Sequence, residues 1–392
     1  MPVNFQEVQK QVRKMGEQAP QREKTLQEQR QRARRLLKAN SQEIIYLRRL
    51  VEHALARNSS LRCAVPVSEL LMASFDPLST PPAHVLFAAD GSQINPDRQA
   101  AVEFAVVNVG VIRMNPHQPQ APREIIQTHL LYGDKVDLPQ GMLTEEQVMW
   151  MRDLRERRAL VELASLEPPP VLTLTDGPLE LFRETMDQRN QMELQEYIAE
   201  LAQLASMQVL TAGYVDKPRA NLVVRLLELL EVKEDELGVV GQRRPLHGVN
   251  DADLFFDLLQ PNQRSAVFAL QSSASRSFSG PVALHFFYLN VGREDHPALA
   301  RVEIPAWVAE SQEELALLHT ALVEQCAQLG SRPYPYALHR AHEIAVVGPE
   351  EKQHLEAMIA LELRSRGMAV GNVSNKQAAK DISGKRGRFE IR

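Results

Sequence analysis

Two apolar runs close on the same pair of residues: Phe87-Ala88-Ala89-Asp90-Gly91-Ser92 and Leu172-Thr173-Leu174-Thr175-Asp176-Gly177. An apolar run of this length reads as a buried strand, and the acid at its end projects from the sheet edge. The glycine behind it lets another group come close to the backbone. Two such acids on neighbouring strands could hold a hard divalent cation, because bringing carboxylates together without one is costly. Taken singly, each Asp-Gly is an ordinary turn. Their pairing, with a strand-strand-helix connection between them, is what gives them meaning.

The chain has 392 residues, enough for two domains or for one with insertions. Its 44% hydrophobic and 24% charged content suits a globular protein with a sizeable core. The net charge of −5 argues against a surface that coats nucleic acid throughout. That charge is uneven: residues 1–57 carry thirteen Lys or Arg against six Glu, so the remainder is acidic. The end of the chain is basic again, with Lys380, Lys385, Arg386, Arg388 and Arg392. Basic extremities around an acidic body suit phosphate capture outside and cation binding within. Only Cys63 and Cys326 occur, without a Cys-x-x-Cys pattern, so a disulfide framework is unsupported and a cytoplasmic location is expected. No run approaches the length of a membrane span, and the N-terminus lacks a signal-like apolar stretch.

Residues 1–57 predict a helical arm, which Pro20 divides into a short first helix and a longer one of about 35 residues. The first half of this arm is polar nearly all round, so it projects or packs on another subunit. The rest, residues 58–392, reads as one domain. Strands are expected at 84–89, 102–111 and 124–131, then a helix over 144–166 opened by Thr144-Glu145-Glu146. A strand over 171–175, a helix over 189–205 and a strand over 207–212 complete the order. That order is α/β: an RNase H-like mixed-sheet core with helical insertions and a long N-terminal helical arm. Further helices are expected at 220–230, 251–259, 312–328 and 349–366, and strands at 265–270, 282–289 and 300–304.

A third acid is expected from the helix before Asp176, with Asp153, Glu156 and Glu162 as candidates. A strand of six or seven residues spans roughly 20 Å. An antiparallel helix must therefore place its acid about 10–14 residues before its own end to lie level with Asp176. Asp153 and Glu156 fit, Glu162 sits too near the end, and Glu156 is chosen. Near the C-terminus, Pro335 at a helix start sets Tyr334 at its mouth, with His342 about two turns on. His339 and His342 form a His-x-x-His pair, a weak zinc pattern without further ligands. Lys217 and Arg219 offer two cations on a loop that could hold a DNA phosphate. The aromatics of 285–288 read mainly as core.

These residues together resemble the NurA family of DNA-repair nucleases. The matching features are Asp90-Gly91-Ser92, a helix Glu before Asp176-Gly177, Tyr334-Pro335 and Ala341-His342. Phe286-Phe287-Tyr288 and Arg301-Val302-Glu303-Ile304-Pro305 are similar to strands of the family's bacterial branch. One departure is Pro178, where the family often has Ser, which removes a hydroxyl but no carboxylate.

The resemblance implies a Mn²⁺-dependent nuclease, with Mg²⁺ as the alternative ion, acting on single-stranded and end-containing DNA as endonuclease and 5′-to-3′ exonuclease. It implies a homodimer working with a HerA-type hexameric translocase in end resection and double-strand-break repair, away from membranes. Asp90, Asp176 and a helix Glu would carry over as metal ligands, with Tyr334 and His342 completing the site. With the residue reading above, Glu156 is that Glu, His342 a further ligand, and Ser92, Lys217 and Arg219 face the nucleic acid. A haloacid-dehalogenase-type phosphatase is disfavoured because its Asp-x-Asp would need an acid where Ser92 stands. A non-catalytic adaptor of the translocase is the competing reading.

Overall fold

The computed structural model describes residues 3–80, 82–97, 102–133, 137–138, 141–181, 188–233, 237 and 244–368, side chains being described throughout except at 137–138, 141–142 and 188–190. The basic segment from Lys380 to Arg392 lies outside the described residues.

The chain opens with α1 (Phe5–Ala39), α2 (Ile44–Arg57), β1 (Cys63–Pro66) and β2 (Ser74–Phe75). It continues through β3 (Val85–Ile94), β4 (Phe104–Met114), β5 (Arg123–Tyr132), the short pair β6 (Asp137–Leu138) and β7 (Gly141–Met142), α3 (Glu145–Ala164), β8 (Val171–Asp176) and α4 (Gln188–Ser206). Then come β9 (Leu210–Asp216), α5 (Leu222–Leu229), α6 (Asp251–Phe255), β10 (Arg264–Ser265), β11 (Phe268–Gln271), β12 (Leu284–Asn290) and β13 (Leu299–Pro305). The last helices are α7 (Ala306–Ala309), α8 (Gln312–Ala327), α9 (Tyr336–Ala345) and α10 (Pro349–Ser365). Two compact units result: the first holds 1–82, 176–185 and 210–335, the second 83–175, 186–209 and 336–392.

In the second unit β3, β4 and β5 form an antiparallel meander, and β8 joins the other side of β3 in parallel, from Val85 opposite Val171 to Ala89 opposite Thr175. This is the RNase H-like arrangement, a mixed sheet reached by way of α3. Helices cover both faces of β3 and β4, which is why Val85–Ala89 and Phe104–Ile112 are buried without alternation. By contrast β5 leaves side chains such as Ile126 and Tyr132 exposed. Helix α3 starts where expected, through a capping box in which Thr144 and Gln147 satisfy each other's backbone N–H.

In the first unit β1, β11, β12, β13 and β9 pair antiparallel in that order. The aromatics of β12 are core: Phe286, Phe287 and Tyr288 are all buried, Phe286 stacked on Phe268 and Tyr288 on Phe255.

Two expectations are corrected. Pro20 does not divide the arm, because α1 runs through it. Proline forfeits one backbone hydrogen bond, and here the surrounding turns are exposed, so water can reach the freed carbonyl. The break falls at Asn40 instead, whose backbone N–H and Nδ2 both donate to Leu36 O. The second half of α1 packs on the first unit through Ala33 and Leu37, while 3–25 are exposed. Strand β3 also continues past residue 89 to Ile94, because Asp90 and its neighbours keep pairing with β4. Asp90 is therefore a mid-strand residue and not a strand end.

Among the described residues, no helix is long and apolar enough to cross a membrane.

Candidate active site

The pairing of β3 with β8 ends at Ala89 and Thr175, and Asp90 is the next residue of β3. Opposite Asp90 on β4 stands Gly110. A Cβ at Gly110 would lie 2.6 Å from Ile344 Cγ1 and 2.7 Å from Ala341 O, so only glycine lets α9 settle onto this face. Register partners share a face, and His342 of α9 reaches Asp90: Nδ1 donates to Oδ2 over 2.6 Å. The imidazole is 63% exposed and the Asp90 side chain 16%. Asp90 Oδ1 accepts the Gly91 N–H at 2.8 Å.

The opposite face, one residue on, belongs to α3. A Cβ at Gly91 would sit 2.6 Å from Glu156 Oε1 and 2.6 Å from Arg152 Cγ. The group that the first Asp-Gly admits is thus Glu156 together with the stem of Arg152. Of the three helix acids, Glu156 is buried, Asp153 pairs with Arg152 at 2.8 Å, and Glu162 accepts from Gln127. Burial pushes the Glu156 carboxyl well above the ordinary range, and the charges of Asp153 and Asp90 push the same way. Arg152 and Arg157 oppose the shift. Arg157 is itself buried, donating to Thr175 Oγ1 and to the Tyr197 hydroxyl.

Ser92 is turned to α9: its hydroxyl donates to Ala345 O at 2.5 Å and accepts from Val347 N at 3.2 Å. Asn108 Nδ2 donates to the same carbonyl at 2.8 Å. His339 goes to Glu343, at 3.6 Å, so the two histidines of the His-x-x-His pair face different partners.

In the first unit, Asp176 Oδ1 accepts the Tyr334 hydroxyl at 2.9 Å, a contact spanning 158 positions of sequence. The Tyr334 ring meets Tyr214 edge-on at 5.4 Å, and Tyr214 O accepts the Gly177 N–H. Gly177 turns the chain with φ +86°, the left-handed conformation that favours glycine. Lys217 and Arg219 are exposed just beyond β9.

Among the described residues, no three His, Cys, Asp or Glu side chains are drawn into a ready metal-holding group. Each proposed carboxylate instead faces another side chain: Asp90 a histidine, Asp176 a tyrosine, Glu156 an arginine. Arg152, Gly110 and Tyr214 were not singled out as site residues from sequence. A lone glycine within the apolar run 104–114 was the available signal for Gly110.

A protein-family model described as NurA domain matches residues 84–347. Among solved structures, the NurA nuclease from Sulfolobus solfataricus aligns with 10% identity and TM-score 0.48, over 75% of this chain and 88% of that one. The catalytic domain of human Endonuclease V aligns with 13% identity and TM-score 0.33, over 81% and 98%. Comparison with curated protein sequences finds no match.

Proposed function

The chain belongs to the NurA family, and from that premise we propose that it is a divalent-metal-dependent deoxyribonuclease that cuts single-stranded DNA internally and from 5′ ends. Its ion is Mn²⁺, with Mg²⁺ as the alternative. Its setting is DNA end resection and double-strand-break repair, as a cytoplasmic homodimer with a HerA-type translocase. The observation that carries the catalytic reading is Glu156 packed against Gly91, buried and feeling the charge of Asp90. A buried carboxylate whose proton affinity is raised by a neighbouring acid suits a hard cation, whose charge replaces the proton.

Asp90 and Glu156 would hold the ion, with Asp176 as the third oxygen donor and His342 completing the set. Asp176 follows Thr175 directly and is the last residue of β8. The ion would supply Lewis acidity toward the phosphodiester. The protein's own contribution is orientation. Asp90 holds the Nδ1 proton of His342, which leaves Nε2 on an exposed ring to face an ion or a phosphate oxygen. The Tyr334 hydroxyl fixes one oxygen of Asp176 and so orients its carboxylate. Lys217 and Arg219, exposed and cationic, would steady the DNA backbone.

The test is Mn²⁺-dependent cleavage of single-stranded DNA by the wild-type chain and by folded Asp90→Ala and Asp176→Ala proteins. Cleavage lost in both variants is expected. Undiminished cleavage removes those residues from the reaction. A wild-type protein that binds no Mn²⁺ leaves the adaptor reading.

A further inference from the structure

Arg152 is placed where a cation ligand would be expected to find its partner. Its stem lies on the backbone of Gly91, so close that a Cβ there would meet Cγ at 2.6 Å and Cδ at 3.1 Å. Its guanidinium serves two acids of α3. Nε and Nη2 both donate to Asp153 Oδ1, at 3.2 and 2.8 Å, and Nε lies 3.4 Å from Glu156 Oε1. The charge of Asp90 reaches it as well. Burial would weaken its hold on the proton, but Asp153, Glu156 and Asp90 outweigh that and hold it raised. The side chain is 30% exposed, so the head has a route toward solvent while its stem stays packed.

We infer that Arg152 is the internal counter-charge of this acidic group and competes with the divalent cation for the Glu156 carboxylate. The inference rests on the metal reading above and adds a regulating residue to it. Arginine and a divalent ion want the same lone pairs, and an oxygen turned to the guanidinium must be released before it can ligate. By linkage, whatever the pair contributes is subtracted from the apparent metal affinity. Arg152 is thus a positioning residue: it keeps Glu156 at Gly91 and sets a threshold on metal loading. A released guanidinium, still tethered beside the site, would be free to meet a phosphate oxygen.

The experiment is titration of Mn²⁺ by calorimetry into the full-length wild type, Arg152→Gln and Arg152→Lys, with the Mn²⁺-induced rise in melting temperature as a second readout. A part-exposed ion pair predicts that Arg152→Gln binds Mn²⁺ about three- to tenfold more tightly. Its melting temperature without added metal should be lower and its Mn²⁺-induced rise larger, while Arg152→Lys stays near wild type. Should Arg152→Gln fail to fold, Arg152→Met retains the stem against Gly91 and makes the same prediction. Unchanged or weaker Mn²⁺ binding in the neutral variants, with normal binding in wild type, overturns the inference alone. Absence of binding in wild type overturns the metal reading and this inference with it.

Discussion

The two units bury acids in opposite ways. In the first, Asp251 is fully buried and accepts the N–H groups of Val223 (3.0 Å) and Val224 (2.8 Å) and the hydroxyl of Tyr288 (2.6 Å). Glu303 likewise accepts Leu179 N and Glu180 N, and Arg301 pairs with it at 2.7 Å. Backbone donors cannot leave, so these acids tie loops and helix starts to the sheet. In the second unit Glu156 faces an arginine side chain at 3.4 Å, and Asp90 a largely exposed histidine. Side-chain partners can swing away. An acid that accepts several backbone N–H groups from distant segments serves structure. One whose long-range partner is a side chain, as for Asp90 beyond its own Gly91 N–H, is available for chemistry.

The largest effect that tests this contrast is on activity. Glu156→Gln should fold, since the amide is of the same size, yet cut DNA about 100-fold more slowly or worse, because several kcal/mol of metal-centred stabilisation are lost. Steady-state cleavage of a labelled single strand checks it. The opposite outcome is expected of Asp251→Ala, which strands two buried N–H groups and a hydroxyl. It should lose about 3–5 kcal/mol in denaturant unfolding, with cleavage per folded molecule unchanged.

Gly91→Ala sharpens the comparison further. Its Cβ collides with Glu156 and with Arg152, so a loss of about 1–3 kcal/mol is expected from overpacking. Cleavage and Mn²⁺ affinity should fall with it. The smallest effect concerns pH. Burial raises the Asp251 carboxyl to about 6, against the pull of Tyr288 and the backbone N–H groups. Between about 4 and 6 the folded state therefore holds a proton that the unfolded chain has lost, and stability falls as pH rises through that window. Asp251→Asn should flatten that part of the curve in pH-dependent unfolding.

Part of this was legible in the sequence because local rules govern it. Thr144 with Glu145 and Glu146 announced a helix start, and Gly91 announced a close approach. Helix rise against strand rise pointed to Asp153 and Glu156, and Glu156 is the one packed against Gly91. The contact of Tyr334 with Asp176 was not legible, since it joins residues 158 positions apart through packing alone. Nor was the continuation of β3 through Asp90, because an acid and a glycine read locally as a turn while pairing with β4 overrides them. Pro20 misled for a similar reason: propensity prices a lost hydrogen bond but not an exposed helix already formed on both sides. Asp251 was passed over because its meaning lies in donors from α5 and β12, distant in sequence.

The central proposal is that Asp90 and Glu156 would hold a metal ion for which Asp176 would be the third carboxylate donor. Crystals soaked in Mn²⁺ and measured for anomalous scattering address it directly. The account predicts a peak within ligand distance of those three carboxylates, with Arg152 drawn back from Glu156. A peak elsewhere, or none at a Mn²⁺ concentration that supports cleavage, contradicts it.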